Sequence, residues 1–255
     1  MNNFDYLCGM MNIVHISDTH GFHRNVKVPF GDVLIHSGDF TNRGEQYQVE
    51  DFIDWLVSQP HRYKIFIAGN HDICFDENHP LNEKKIEKVL MGEHYYPSKP
   101  SWLNNLLDNL PDNVFYLENN GCEIEGVTFW GSPVTPWFYG EHWVFNKQRY
   151  EIQTTWDLIP DGTDVVITHG PVQYKCDYVA HSQFFAGCSE LGRKLEFVKP
   201  ILHLCGHIHG GYGWAYDKNT EFFNGSVLDE SYEVKHSPWE IELNKPFREV
   251  KVLNK

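Results

Sequence analysis

Five short segments of this sequence combine carboxylate, imidazole and amide side chains with neighbouring glycines, at residues 17–20, 37–39, 69–72, 168–170 and 206–209. Their candidate metal ligands are Asp18, His20, Asp39, Asn70, His169, His207 and His209. Carboxylate and imidazole together suit borderline divalent ions such as manganese, iron or zinc. One ion needs about four ligands, so this set favours two ions, with one carboxylate bridging them.

The segments follow elements that would bring them together. Apolar runs at 12–16, 32–36 and 63–68 predict buried strands, and residues 46–58 carry apolar side chains at helical spacing. Further strands are predicted at 114–117, 122–124, 127–130, 164–168 and 201–205, with an antiparallel ending at 222–226, 239–243 and 249–253. This order predicts an α/β fold. Its ligand crevice lies at the carboxyl ends of the strands, where the five segments begin.

Composition limits the possible functions. A net charge of −14 disfavours binding to long nucleic acid, which depends on neutralising phosphates. No run approaches the roughly 18 apolar residues of a membrane helix, so no membrane association is expected. The six cysteines form no CxxC pair, and nothing marks secretion, so a cytoplasmic location is expected. Because Met10 and Met11 precede the first strand, we expect an extension at 1–10 and one domain over 11–255.

The five segments resemble the motif blocks of calcineurin-like metallophosphoesterases, which are DxH, GD, GNH followed by Asp or Glu, GH, and GHxH. The first, second, third and fifth blocks match directly. The fourth block in chain order reads Thr168-His169-Gly170, with its glycine after the histidine. The resemblance implies a four-layer αββα sandwich with mixed sheets. It also implies one metal held by Asp18, His20 and His209, a second held by Asn70, His169 and His207, and Asp39 bound to both.

The resemblance also implies roles for residues near the metals. His71 would stabilise the transition state or protonate the leaving oxygen, after attack by a hydroxide that bridges the metals, and Asp72 would orient His71. Arg43 is a candidate phosphate contact, with a loop salt bridge as the alternative. Tyr212 is a candidate substrate contact beside the last block. His15, His36 and His203, on the strands, are expected to support the site or the core rather than bind metal.

Other segments resemble a narrower group, the brain-expressed metallophosphoesterase-domain proteins of animals and their microbial relatives. The resemblance rests on residues 131–138, Trp143, residues 145–146, 169–171 and 206–213. That group is related to class III cyclic-nucleotide phosphodiesterases, which implies hydrolysis of a phosphodiester, in a small or cyclic nucleotide. The alternatives are a phosphomonoesterase or nucleotidase, and a catalytically weak scaffold for protein partners. The aromatic cluster within 130–145 is expected to pack a loop, with base stacking as its alternative.

Overall fold

A computed structural model of the chain describes residues 10–77, 99–138 and 143–254. The strands of its first half are β1 (Met10–Ile16), β2 (Val33–His36), β3 (Tyr63–Phe66), β4 (Val114–Tyr116), β5 (Asn120–Ile124), β6 (Val127–Ser132), β7 (Thr135–Pro136) and β8 (Asn146–Lys147). Those of its second half are β9 (Val165–Thr168), β10 (Tyr178–Val179), β11 (Phe184–Phe185), β12 (Leu202–Cys205), β13 (Gly213–Tyr216), β14 (Glu221–Asn224), β15 (Trp239–Asn244) and β16 (Glu249–Val252). The α-helices are α1 (Gln46–Ser58), α2 (Ser101–Asp108), α3 (Gln153–Trp156) and α4 (Ser189–Val198).

Two six-stranded mixed sheets form the centre of the molecule. The first has the order β16-β15-β1-β2-β3-β4, with β1 to β4 parallel and β15 antiparallel to both β1 and β16. The second has the order β13-β14-β12-β9-β6-β5, with a parallel centre and antiparallel strands at both edges. The parallel strands of both sheets deliver their carboxyl ends to the metal motifs.

Alternation of side chains along the strands creates three apolar layers. In β1, Ile13 faces the core between the sheets, whereas Val14 and Ile16 pack under α1 on the outer face of the first sheet. The outer face of the second sheet packs on α3 and α4, where Val166 lies in one apolar cluster with Trp156 and Leu191. The order is therefore helix, sheet, sheet, helix, which confirms the four-layer αββα prediction.

Most of the elements predicted from the sequence are present, and α1 has the predicted bounds. The antiparallel ending is confirmed for β15 and β16, but β14 pairs parallel with β12 and antiparallel with β13, a strand the sequence analysis did not predict. The proposed extension lies outside the described residues except for Met10, which begins β1. None of the helices among the described residues has the length and apolar character needed to cross a bilayer.

Candidate metal centre

The seven predicted ligands meet at the edge where both sheets present the carboxyl ends of their parallel strands. Asp18, Asp39 and Asn70 follow β1, β2 and β3 of the first sheet, and His169 and His207 follow β9 and β12 of the second. The two sheets are joined here, because Ser17 pairs with Ser226 in a parallel bridge. Segments that are 189 residues apart in the sequence thus share one site.

A first donor cluster consists of Asp18, His20 and His209, whose ligand atoms all lie within 4.8 Å of one another. The Nε2 atoms of His20 and His209 are 3.3 Å apart, and His209 Nε2 is 3.6 Å from Asp18 Oδ1. Asp18 is held by the backbone N–H of His207 and by the hydroxyl of Ser226, which donates to Oδ2 at 2.8 Å. The carboxylate is therefore fixed before any ion binds.

A second cluster consists of Asp39, His169 and His207, again with ligand atoms within 4.8 Å. His169 Nε2 is 3.2 Å from Asp39 Oδ2 and 3.0 Å from Asn70 Oδ1. Asp39 Oδ2 also lies 3.9 Å from His20 Nε2 in the first cluster. Asp39 is thus the side chain that connects the two clusters.

Three of the imidazoles are held in the tautomer that metal ligation needs. The Nδ1 atoms of His20, His169 and His209 lie 3.2, 2.9 and 2.9 Å from backbone carbonyl oxygens, those of Thr41, Ser37 and Asp229. Because a carbonyl only accepts, each Nδ1 carries a hydrogen, and each Nε2 faces the site, where it can ligate a metal once it carries no proton. Ligating histidines are commonly oriented in this way.

The backbone is strained where it presents these ligands. Asp18, His20, Asp39 and His207 have φ of 53°, 41°, 56° and 68°, a left-handed region that costs non-glycine residues of order 1–3 kcal/mol each. Gly69 and Gly206 allow the carboxylates to come close, since a Cβ there would collide with Asp39 Oδ1 and Asp18 Oδ2 respectively. Four of the thirteen non-glycine residues with positive φ among the described residues are thus predicted ligands, which is consistent with backbone strain that positions their side chains.

Burial disfavours the charged form of each ionisable ligand, and the pKa values show which side chains stay charged. For Asp18, burial would raise the pKa, but the hydrogen bond and charge of His209 outweigh it and hold the pKa well below its usual range. For His169 and His209, burial would lower the pKa, but Asp39 and Asp18 respectively raise it to about 9. Burial lowers the pKa of His207 to about 3.

These observations test whether the residues fit a metal. The donors are carboxylate oxygens, an amide oxygen and imidazole nitrogens, a combination suited to Mn, Fe or Zn. Two Nε2 lone pairs facing each other at 3.3 Å repel unless a cation or a proton lies between them. The cluster of buried carboxylates and imidazoles therefore fits divalent metal binding.

His71 lies beside the donor clusters. Its ring centroid is 4.5 Å from that of His20 and 4.3 Å from that of Trp143. Its Nδ1 donates to the carbonyl oxygen of Asn42 at 2.8 Å. It also lines a cleft over the donor clusters, which we call the main cleft and whose other walls include Asp39, His207, Phe138 and Trp143. Nε2 is therefore the ring nitrogen available to a substrate.

The hydrogen-bond partners of Asp72 differ from the one that the resemblance implied. Its carboxylate accepts hydrogen bonds from the N–H groups of Asp39, Gly69 and Thr41 and from the Thr41 hydroxyl, at 2.7–3.0 Å. The orienting contact expected for His71 comes instead from Asn42. Asp72 braces the loops that carry Asp39 and Asn70, and burial together with the charge of Asp39 raises its pKa to about 7.

The two predicted substrate contacts lie outside the set of residues that line the main cleft. Arg43 is exposed in the loop after Asp39. Tyr212 stacks on His236 with ring centroids 4.2 Å apart, and its hydroxyl donates to the Ser237 carbonyl oxygen. Their proposed contacts with substrate remain predictions.

The aromatic cluster divides between the core and the cleft. Trp130 is buried, as packing predicts, whereas Phe138 and Trp143 line the main cleft, and Tyr139 lies outside the described residues. Phe138 contacts the His207 ring at 4.8 Å between centroids. Packing thus holds for Trp130, whereas base stacking by Phe138 and Trp143 stays a prediction.

Sequence reasoning missed Tyr232, which lines the main cleft beside the first donor cluster. Its ring centroid is 5.1 Å from that of His20 and 4.9 Å from that of His209, and its φ is 61°. Tyr232 lies in a turn that Asp229 stabilises, since the Asp229 carboxylate accepts hydrogen bonds from the N–H groups of Ser231 and Glu233. The only sequence signal was an Asp-Glu-Ser turn composition, which does not indicate a cleft.

The fold and the site define a class. Two mixed sheets between helices, with buried carboxylates and imidazoles at their carboxyl edge, are the architecture of a metal-binding α/β phosphoesterase. The family model described as calcineurin-like phosphoesterase matches residues 11–211. The chain therefore belongs to the calcineurin-like phosphoesterase family.

Relatives in other organisms agree with this placement. The human metallophosphoesterase domain-containing protein 1 is 39% identical over 244 residues, which cover 93% of this chain and 72% of that protein. A UPF0046 protein of Caenorhabditis elegans is 34% identical over 230 residues, which cover 89% and 73%. The crystal structure of TT1561 from Thermus thermophilus is similar in fold, with a TM-score of 0.57, 13% identity and coverage of 96% and 99%.

Proposed function

We propose that this protein is a metal-dependent phosphodiesterase acting on small or cyclic nucleotides. The observation that carries the proposal is the connection of two donor clusters through Asp39 Oδ2, 3.2 Å from His169 Nε2 and 3.9 Å from His20 Nε2. In this assignment Asp18, His20 and His209 hold one ion, Asn70, His169 and His207 hold the second, and Asp39 contacts both.

The charge of the cleft supports a diester over a monoester. The main cleft has a volume of about 500 Å³, and no lysine or arginine is found among the described residues that line it, whereas Glu230 is. A monoester dianion would need cationic side chains beyond the metals, but a diester carries a single negative charge. The walls formed by Trp143, Phe138 and Tyr232 also suit a substrate with organic groups on both sides of its phosphate.

When bound, the ions would lower the pKa of a water molecule and take up charge on the phosphoryl oxygens. The chain itself supplies rigidity, because the carboxylates are already bonded to backbone N–H groups. His71 would present Nε2 to the leaving oxygen, since its Nδ1 donates to the Asn42 carbonyl oxygen. Protonation of the leaving oxygen from Nε2 would use the imidazolium form, which carries hydrogens on both ring nitrogens. Phe138 and Trp143 exclude water from the side of the cleft next to His71 and His207.

The test compares hydrolysis of bis-p-nitrophenyl phosphate and p-nitrophenyl phosphate with manganese and with a chelator. We expect the diester to be preferred, and activity to be lost with chelator and in Asp39→Asn. The matched control is Asp54→Asn, which changes an exposed carboxylate on α1 and should keep wild-type rates.

Each result has a clear meaning for the proposal. A preference for the monoester would replace it with a phosphomonoesterase or nucleotidase. Absence of turnover of either compound, in protein shown by elemental analysis to hold two metals per chain, would favour a scaffold that binds protein partners. Unchanged activity in Asp39→Asn would contradict the assignment of Asp39 to both ions.

A further inference from the structure

A second cavity adjoins the main cleft on the side of His207. Its volume is about 230 Å³, and it shares His207 and Phe138 with the main cleft. We call this second cavity the side pocket. Because the two cavities have these side chains in common, they are neighbours, and we take one group of a ligand with its phosphate at the donor clusters to lie in the side pocket.

The walls of the side pocket are aromatic and apolar. Trp137 and Phe184 line it and remain 45% and 49% exposed, and Pro136 and Pro171 complete its apolar surface. Exposed aromatic faces favour a planar partner, because stacking removes apolar surface from water on both sides. The pocket is thus suited to a flat ring.

Arg149 is the one lysine or arginine among the described residues that line the side pocket. Its Nη1 donates to the Gly187 carbonyl oxygen at 3.2 Å and its Nη2 to the Ala186 carbonyl oxygen at 3.3 Å. These bonds use two of the five donor hydrogens of the guanidinium. Within the described part of the chain it forms no ion pair with a carboxylate, so donors remain for a ligand.

The volume of the side pocket limits what it can hold. Pockets for complete drug-sized ligands span roughly 300–1,000 Å³, so 230 Å³ suits one ring system, with the rest of the ligand in the main cleft. A second phosphate fits poorly, since the prolines and aromatic rings would remove its water and only Arg149 would compensate. A ring with acceptor atoms on its edge matches both the walls and the guanidinium.

We propose that the side pocket binds the planar heteroaromatic ring of a substrate, in the manner of a nucleobase, and that Arg149 donates to acceptor atoms on its edge. This inference rests on the proposed function in one respect, the phosphate at the donor clusters. The side pocket would then distinguish one ester from another by its organic group, which the metal ligands do not contact in this assignment.

The test uses two diesters with the same leaving group, thymidine 5′-(p-nitrophenyl phosphate) and methyl p-nitrophenyl phosphate. Stacking contributes about 1–3 kcal/mol per base, so Arg149→Met and Trp137→Leu should each lower kcat/KM for the thymidine ester by about tenfold, mainly through KM. The methyl ester should change less than about twofold on the same scale. Arg193→Met, at an exposed arginine paired with Glu190 on α4, is the matched control and should leave both esters unchanged.

A second measurement separates the side pocket from catalysis. Thymidine has no phosphate, so its binding to chelator-treated protein, followed by saturation-transfer NMR, does not depend on the metals. We expect a signal that is lost in Arg149→Met and kept in Arg193→Met. If the metal-loaded wild type hydrolyses neither ester but thymidine binds in this way, the result contradicts the proposed function and supports ring binding in the side pocket. Equal losses of kcat/KM for both esters, or thymidine binding that is unchanged in Arg149→Met, would overturn the inference.

Discussion

The Nε2 atoms of His20 and His209 face each other across 3.3 Å, although the two residues are 189 positions apart in the sequence. Neither ring can turn away, because each Nδ1 is hydrogen-bonded to a carbonyl oxygen, that of Thr41 or Asp229. Two lone pairs this close would repel, so a positive charge must lie between the two nitrogens. A proton can supply it, because Asp18 raises the pKa of His209 to about 9, and a metal ion can supply it in place of the proton.

Manganese should stabilise the protein against thermal unfolding because it binds these ligands only in the folded state. At a hundred-fold excess over Kd one site contributes about 2.7 kcal/mol, and for a chain of this size about 1 kcal/mol raises Tm by roughly 2–4 °C. We therefore expect Tm to be about 5–10 °C higher in manganese than in chelator. Differential scanning calorimetry measures this difference. His209→Ala should reduce this rise.

Magnesium serves as the control ion, because it prefers oxygen ligands in octahedral geometry and this site is rich in imidazole. It should raise Tm less than manganese at equal concentration. A Tm that is the same in manganese and in chelator would show that the facing histidines do not bind the metal.

His71→Ala should reduce kcat most for substrates whose leaving group is a poor one. A general acid contributes about 10²–10⁴-fold when the departing alkoxide needs a proton, whereas p-nitrophenolate leaves without one. We expect a loss of that order for an alkyl diester and a much smaller loss for bis-p-nitrophenyl phosphate. The measurement is kcat for esters that span a range of leaving-group pKa. A loss that is equal across the series would assign His71 to phosphate binding instead.

The sequence predicted the parts of the site that depend on local patterns. Each ligand block follows an apolar run, and because strand ends collect ligands in α/β sheets, Asp18 and Asp39 could be expected to converge. The same argument extends to His169 and His207, which lie on the second sheet. The bounds of α1 followed from the helical spacing of its apolar residues, which pack on the first sheet.

Features that depend on how distant loops pack could not be predicted in this way. Tyr232 reaches the first donor cluster because Asp229 bends the chain into a left-handed turn, and nothing in the local pattern aims that turn at His20. Asp72 illustrates the converse, since the family resemblance implied a contact with His71, while its carboxylate accepts a hydrogen bond from the backbone N–H of Asp39. Arg149 likewise gains its neighbours from a loop 37 residues away.

Gly69→Ala should disrupt the site without requiring an unusual backbone conformation. Its Cβ would collide with Asp39 Oδ1 and the His169 ring, and such overpacking costs about 1–3 kcal/mol. The matched control is Gly126→Ala, where φ is +79° and no atom lies within 4 Å, so only about 1 kcal/mol of backbone strain is added. We expect both variants to lose stability in urea unfolding, but only Gly69→Ala to lose manganese affinity. Equal metal affinity in the two variants would contradict the close approach.

Three buried histidines outside the donor clusters are held neutral. The hydroxyl of Thr168 donates to the Gly170 carbonyl oxygen, so His203 must donate to it from Nε2, which leaves Nδ1 bare, with no partner among the described residues. A proton on Nδ1 would be buried with no acceptor, and burial accordingly lowers the pKa of His203 to about 3. Burial likewise lowers the pKa values of His15 and His36 to about 3.

Stability should fall as the solution is acidified from pH 7.5 to 5, because the unfolded chain takes up protons near pH 6.5 that the folded chain excludes until about pH 3. His203 alone accounts for about 2 kcal/mol of that loss. His203→Gln keeps a donor for Thr168 but does not titrate, so its stability should fall by about 2 kcal/mol less over the same range. Urea unfolding in the presence of chelator measures this without a contribution from metal release, and His181→Gln, at a side chain 78% exposed, is the control that should follow the wild type. If His203→Gln loses stability with acid as steeply as the wild type does, another group is responsible for the acid sensitivity.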